Sequence, residues 1–391
     1  MLDDSIKKKD TVIIDFGLKY TKVGFEGEPE PRKILPTPNL FNTSNFYENT
    51  IPKTNIMLYR KDFYDLKYQI EEFVEYIIDF VLQISPQQKE KYICLMLIDF
   101  NTKENFTQIY EYFASTILSY DVISIFRVIS KNVFPIFVTG FASGLILNCG
   151  YAYSTITVVN QGVSIYSTDL SIGISLLEKK LKKLILEDKN GIKGIPEDNI
   201  NNFSDKINQF IEDILIRTTV IVNKKVSNEI KEKENVLQGQ NDYTKINCYK
   251  DLPEFNLSFE NRVSIGEELF DQEREINLAY EVLNILCNKV PCEIRKKICS
   301  NIVLSGGMTM LFGFFNRFND EIKELVNLKE FKKLQFIKEA IKVHKIIFPR
   351  NSLTWIGASL IMNFEKLNFT GRQITKDDQN NLDQEVSNIF K

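Results

Sequence analysis

The 391-residue chain carries 49 Lys and Arg against 52 Asp and Glu, a formal net charge of −3, with 43% hydrophobic and 26% charged residues. That balance supplies no field to hold a nucleic acid or an anionic membrane surface, and the length predicts about two globular domains. A single His excludes an HExxH metal helix and leaves a Ser-His-Asp triad only if His344, in KVHKIIF, is its base.

The N-terminal MLDDSIKKKD starts acidic with no apolar core behind it, which predicts no secretory leader. VIIDFGLKYTKVGF, residues 12–25, is an apolar strand that breaks at Asp15-Phe16-Gly17 and resumes around Lys22, the pattern of a hairpin. In LKYQIEEFVEYIIDFVL, residues 66–82, Leu66, Ile70, Phe73, Val74, Ile77, Ile78, Val81 and Leu82 recur at helical spacing on one stripe. A strand-like run at 92–98 follows. VFPIFVTGFASGLIL, residues 133–147, falls short of the ~20 residues of a bilayer span and carries Pro135, Gly140 and Gly144, so it reads as buried strand and turn, with no membrane insertion.

LILNCGYAYSTITVV, residues 145–159, repeats the layout of the first hairpin, with Asn148-Cys149-Gly150 where Asp15-Phe16-Gly17 stood. Beyond the turn-rich DKNGIKGIPEDN, a second amphipathic helix is expected at about 205–222, with Ile207, Phe210, Ile211, Ile214 and Leu215 on one face. Residues 227–250 are polar and read as a solvated excursion, and the stretch from Thr370 is polar as well. Ile302-Val303-Leu304-Ser305-Gly306-Gly307 is a strand running into a double glycine and then an amphipathic helix. The six cysteines (Cys94, Cys149, Cys248, Cys287, Cys292, Cys299) form no CxxC pair, as expected of reduced structural thiols in a cytoplasmic protein.

Strands alternating with helices define an α/β chain. Two like hairpins suggest two like-built domains whose glycine turns face a shared cleft, where backbone N–H groups can hold a phosphate chain and an acid at the strand end can hold a metal's water shell.

The order of these motifs resembles the actin family. DFGLKYTKVGFEGEPEPRKILPT is similar to its first phosphate hairpin and following strand, LILNCG to its second, IVLSGGMTMLFGFFNRFNDEI to its adenosine segment, LTWIGASL to its tryptophan segment, and ITKDD to its final helix. The resemblance implies two ribonuclease-H-like domains around a nucleotide cleft. One is 1–139 with 351–391, its outer subdomain shortened to roughly 37–62; the other is 140–350, its outer subdomain roughly 180–272. It implies a site for ATP or ADP built from Asp15, Gly17, Lys22, Gly150, Gly306, Gly307 and Met308, with Asp15 on the metal side.

Departures from the family pattern qualify the activity. Leu18 replaces a hydroxyl expected on the terminal phosphate, Asn148 and Tyr151 replace two acids, and Lys131 falls where a water-positioning Gln belongs. Leu215 and Ile216 stand for a Lys and a Glu that reach the nucleotide. Hydrolysis needs an oriented water and a well-held metal, so the expectation is an ATPase site without catalytic residues, a Mg2+ site short of its acids, and a nucleotide that is held and hardly turned over.

The stretch TPNLFNTSNFYENTIPKTNIMLYRKDF lacks the loop that inserts into the next subunit of an actin filament, which implies a subunit that joins an end and stops growth. Within the family, the Asn-Cys-Gly-Tyr hairpin and KVPCEIRKKICSNIVLSGG resemble the actin-related protein of the dynactin pointed end. The implied partners are actin-related filament subunits and the small pointed-end subunits, with Phe41, Phe46 and Tyr47 as contact candidates, in a cytoplasmic, cytoskeleton-associated assembly that supports dynein-dynactin transport. The competing readings are a nuclear actin-related subunit of a chromatin-remodelling complex and an enzyme such as a sugar kinase or chaperone ATPase.

Overall fold

The computed structural model describes residues 11–38, 63–85, 92–99, 105–187, 210–233, 243–246, 255–271, 276–362 and 371–378. The first sheet begins with β1 (Thr11–Asp15), β2 (Tyr20–Phe25) and β3 (Lys33–Pro36), an antiparallel meander, and grows from β1 through parallel β4 (Tyr92–Ile98) and β5 (Ile123–Ser130). Every residue of β1 is buried, as a central strand covered on both faces requires. One face is covered by α1 (Phe63–Glu75) and α2 (Asn105–Leu118), where Ile70, Val74, Phe113 and Ile117 pack on Val12 and Ile14.

The stripe at 66–82 does not end as one α-helix: α1 passes into a π-helical turn, Tyr76–Val81, closed by Leu82 N–H on the Ile77 carbonyl at 2.9 Å. The wider turn keeps Ile77, Ile78 and Leu82 buried together while Tyr76 and Phe80 face outward.

β6 (Gly144–Cys149), β7 (Ser154–Asn160) and β8 (Val163–Leu170) form the antiparallel part of a second sheet. β13 (Ile302–Ser305) adds to β6 in parallel, giving the order β13-β6-β7-β8. Its core joins α3 (Ile174–Glu187), the helix at 210–218, here α4, α6 (Phe259–Glu267), α7 (Leu278–Asn288), α8 (Cys292–Cys299) and α9 (Phe314–Leu325). The apolar face expected at 205–222 is present from 210, with Ile211, Ile214 and Leu215 buried. Residues 207 and 41–47 lie outside the described residues.

Three expectations are corrected. The run at 133–147 opens with a 3-10 helix, Lys131–Thr139, before β6, because Pro135 cannot donate to a sheet ladder and is tolerated in a tight helix. The polar stretch 227–250 is not featureless: it contains most of α5 (Lys224–Lys233) and β9 (Tyr243–Ile246), which pairs with β10 (Phe255–Ser258). ITKDD does not start as a helix: β14 (Gly371–Thr375) joins the edge of β5 antiparallel, burying Ile374, and Lys376–Asp378 form a 3-10 helix at the end of the described residues. An open β5 edge offers backbone partners that outweigh helix propensity there. The short β11 (Phe270–Asp271) and β12 (Ile276–Asn277) form one further pair.

A third core cluster takes Ile13, Leu95 and Leu97 from the first sheet, Ile146, Val159 and Val303 from the second, and Leu353, Trp355, Ile356 and Ala358 from α10 (Leu353–Met362). It fixes the two sheets, and so their hairpins, against each other. Among the described residues no helix is long and apolar enough to cross a membrane.

On α9, Arg317 is 3% exposed and bonds Glu321 (2.9 Å), both oxygens of Glu267 (2.7 and 3.0 Å) and the Val222 carbonyl (2.9 Å). Arg317→Met takes the cation from half-buried Glu267 and leaves buried Glu321 with only Lys224 at 3.9 Å, and is expected to cost about 3–5 kcal/mol of stability, read by urea denaturation.

Candidate functional site

The two hairpins open onto one cleft of about 410 Å³, within the range of small-molecule sites. Asp15, Gly17, Lys22, Gly150, Gly306, Gly307 and Met308 all line it, together with Leu18, Lys131, Asn148, Tyr151 and Ile216. Leu215 does not line it: it is wholly buried in the second core.

In the first hairpin, Asp15 sits opposite Lys22 across the ladder, and the Lys22 ammonium donates to it at 3.0 Å. At Gly17 the chain turns so tightly that a Cβ would lie 2.5 Å from the Tyr20 carbonyl oxygen. The backbone N–H groups of Gly17, Leu18 and Lys19 have no acceptor among the described residues. Consecutive amides aimed out of a tight turn form an anion nest. Lys131, which opens the 3-10 helix after β5, reaches the same turn and donates to the Phe16 carbonyl at 3.3 Å.

In the second hairpin, the Gly150 N–H closes the turn on Tyr153 at 3.1 Å, and the Asn148 side chain finds no hydrogen-bond partner among the described residues. The third wall is β13, after which Gly306 takes φ +95 and its N–H bonds the Arg350 carbonyl at 2.9 Å. Gly307–Met310 forms a 3-10 turn and α9 starts only at Phe314, so the double glycine leads into the helix through an extra turn.

Sequence reading missed a set of polar side chains. Asp99, directly after β4, is 5% exposed and accepts from Asn132 (3.0 Å) and from the Tyr153 hydroxyl (3.3 Å). Burial and Asp99 hold Tyr153 well above the usual tyrosine range, so it stays a donor. The same layout, an acid ending an apolar strand, marks Asp15 and was the available signal for Asp99. Lys19 bridges from the first hairpin to Glu178 of α3 (2.6 Å) and Glu212 of α4 (3.1 Å) and lies over the Tyr151 ring at 4.5 Å. Tyr151 donates to Glu178 at 3.1 Å and Tyr20 to Glu212 at 2.5 Å. No local pattern announces this strap, because its members come from four separate segments.

A nucleotide fits this cleft: nest and glycines for phosphates, Ile216, Met308, Met310 and Leu311 for an apolar base. A divalent cation does not fit it. Asp15 is paired with Lys22, Asp99 is committed to Asn132 and Tyr153, Glu212 to Lys19 and Tyr20, and the Lys131 ammonium group stands at the turn. Among the described residues no three His, Cys, Asp or Glu side chains gather to hold a metal ion.

His344 lies away from the cleft against Phe141, its ring kept below its usual pKa by burial and Lys342. The five described cysteines are free thiols, and burial pushes Cys149 and Cys299 up to about 12.

Two mixed sheets joined by a common core, with facing hairpin turns, define the actin-like α/β fold. The Actin family profile matches residues 6–381, and the chain belongs to that family, whose members generally bind ATP or ADP with a divalent metal. The chain is 24% identical to centractin of Saccharomyces cerevisiae over 378 residues, covering 90% of this chain and 89% of that protein. It is 25% identical to putative actin-29 of Dictyostelium discoideum over 385 residues (92% and 91%) and 26% identical to actin-related protein 10 of the same organism over 423 residues (91% and 83%).

Gly306→Ala would drive a Cβ into the Cys149 backbone at a positive φ, whereas a Cβ at Gly307 meets nothing within 4 Å. Gly306→Ala is expected to lower stability by about 1–3 kcal/mol and Gly307→Ala to leave it nearly unchanged, compared by thermal denaturation of the two proteins.

Proposed function

We propose that this chain is a non-polymerising actin-related protein that caps the pointed end of the dynactin actin-related filament and docks the small pointed-end subunits, supporting dynein-dynactin transport in the cytoplasm. It holds ATP or ADP as a strut between two domains, 1–139 with 351–391 and 140–350. The observation that carries the capping role is the length of chain between β3 and α1: residues 37–62 are the whole link from Pro36 to Phe63, short for an outer subdomain with an insertion loop. A head-to-tail filament grows only when each subunit offers both a donor and an acceptor face, so a subunit without one face closes an end. The relatives named as actin-related proteins support the filament setting, and the hairpin Asn148-Cys149-Gly150-Tyr151 supports the pointed-end position.

The cleft favours retention over turnover. A bound triphosphate supplies a phosphoanhydride, but among the described residues each acid near the cleft is already engaged: Asp15 by Lys22, Asp99 by two donors, and Glu178 and Glu212 by Lys19. Lys131 is a cation where the family pattern has a water-positioning amide. The residues that remain hold phosphates through the 17–19 amides and keep the walls together through Lys19, Glu178 and Glu212. Single turnovers slower than roughly one per hour are expected on this account, against the ~1 s⁻¹ and faster of typical enzymes.

Two measurements test the reading. Acid extraction of the purified protein followed by nucleotide chromatography should release close to one adenine nucleotide per chain, with added ATP hydrolysed no faster than in buffer; rapid turnover overturns the strut. Affinity purification of the tagged protein should recover actin-related filament subunits and small pointed-end proteins, and recovery of a remodelling ATPase in their place moves the protein to the nuclear reading.

A further inference from the structure

We propose that the cleft binds nucleotide phosphates without a divalent cation, the Lys131 ammonium group supplying the positive charge that a metal ion would bring. The inference rests on the nucleotide reading of the cleft and specifies its charge chemistry.

Three observations carry it. The Lys131 ammonium reaches the phosphate turn itself, donating to the Phe16 carbonyl at 3.3 Å, directly beside the free amides of residues 17–19, and it makes no ion pair with a described residue. A cation that lines a cleft, keeps its charge uncompensated and touches an anion nest is a group arranged for an anion. Lysine serves phosphate as a compact point charge with three donors, and the weak 3.3 Å bond to a carbonyl leaves two of them for a ligand.

The carboxylates that would hold a metal are also committed. Asp15 and Lys22 cancel each other at 3.0 Å, and Asp99 is buried under two donors. Mg2+ is held through one or two carboxylates and retained waters, so it needs a carboxylate free to face the ion.

Asn148 completes the picture. It stands opposite Ser305 in the β13-β6 register, lines the cleft, and its amide is unengaged among the described residues. An amide offers N–H donors to a phosphate oxygen as well as a carbonyl, whereas a carboxylate at that place would repel the phosphate unless a cation lay between them. Lysine at 131 and amide at 148 are therefore one consistent substitution: the charge carried by an exchangeable ion is built into the chain.

The test is equilibrium binding of ATP to the full chain, stripped of nucleotide, followed by titration calorimetry in excess EDTA and in excess Mg2+. Affinities within about threefold of each other support the proposal. Binding that needs Mg2+ overturns it while leaving the nucleotide reading intact, and absence of binding in both conditions overturns the two together. Lys131→Met, with Lys131→Arg as the charge-keeping companion, separates charge from folding. Loss of a charge-assisted bond is expected to weaken ATP binding in EDTA by roughly 10- to 100-fold in the Met variant and much less in the Arg variant. Both variants should melt at the wild-type temperature without ligand. Equal ATP affinity of Lys131→Met and wild type in EDTA overturns the assignment to Lys131.

Discussion

Trp355 is wholly buried between the two sheets, and its indole N–H donates to the Ile13 carbonyl of β1 at 3.1 Å. Around it the third core cluster draws residues from both sheets and from the 3-10 helix that begins at Lys131. Burying so much apolar surface at a junction, with the one polar atom of the indole satisfied, makes a rigid hinge region rather than a loose linker. Every property of the cleft depends on that junction. The hairpin turns at 16–19 and 149–153 face each other only because the strands that carry them are fixed at their buried ends, and Lys131 enters the cleft because its helix is packed into the same cluster.

On the proposed reading, the floor of the cleft is an electrostatic system more than a catalytic one. Asp15, Asp99, Glu178 and Glu212 each have a donor, while Lys131 pairs with no acid among the described residues, a charge pattern that suits an anion better than a metal ion. The family generally couples nucleotide to a divalent cation; here Lys131, Asn148 and Tyr151 line one cavity, and the proposed metal-free binding would make their substitutions a single change of chemistry.

Much of the fold was legible because its signals are local. The hairpins could be read from apolar alternation broken by glycine, and β13 from its all-apolar run before Gly306-Gly307. What escaped was decided by distant partners. β14 became a strand because β5 had an open edge, which no window around ITKDD contains. The π turn in 76–81 answers to the packing of Ile77 and Ile78 on the sheet, not to the helical stripe. All seven residues that the family resemblance offered as cofactor candidates line the cleft, five of them glycines or a strand-end acid with recognisable surroundings. Asp99, Lys19, Glu178 and Glu212 did not stand out, being single polar residues on otherwise ordinary strands, turns and helices.

The strap across the cleft mouth has a kinetic consequence. Lys19 and Glu212 are each about one-quarter exposed, so the ion pair between the hairpin and α4 is open to mobile counter-ions, while the Trp355 junction behind it is not. Screening falls on the mouth and spares the hinge. Salt would thus act on how often the cavity breathes and leave the resting geometry alone: a ligand sealed in for long periods at cellular ionic strength would exchange more freely in concentrated salt, with the fold undisturbed.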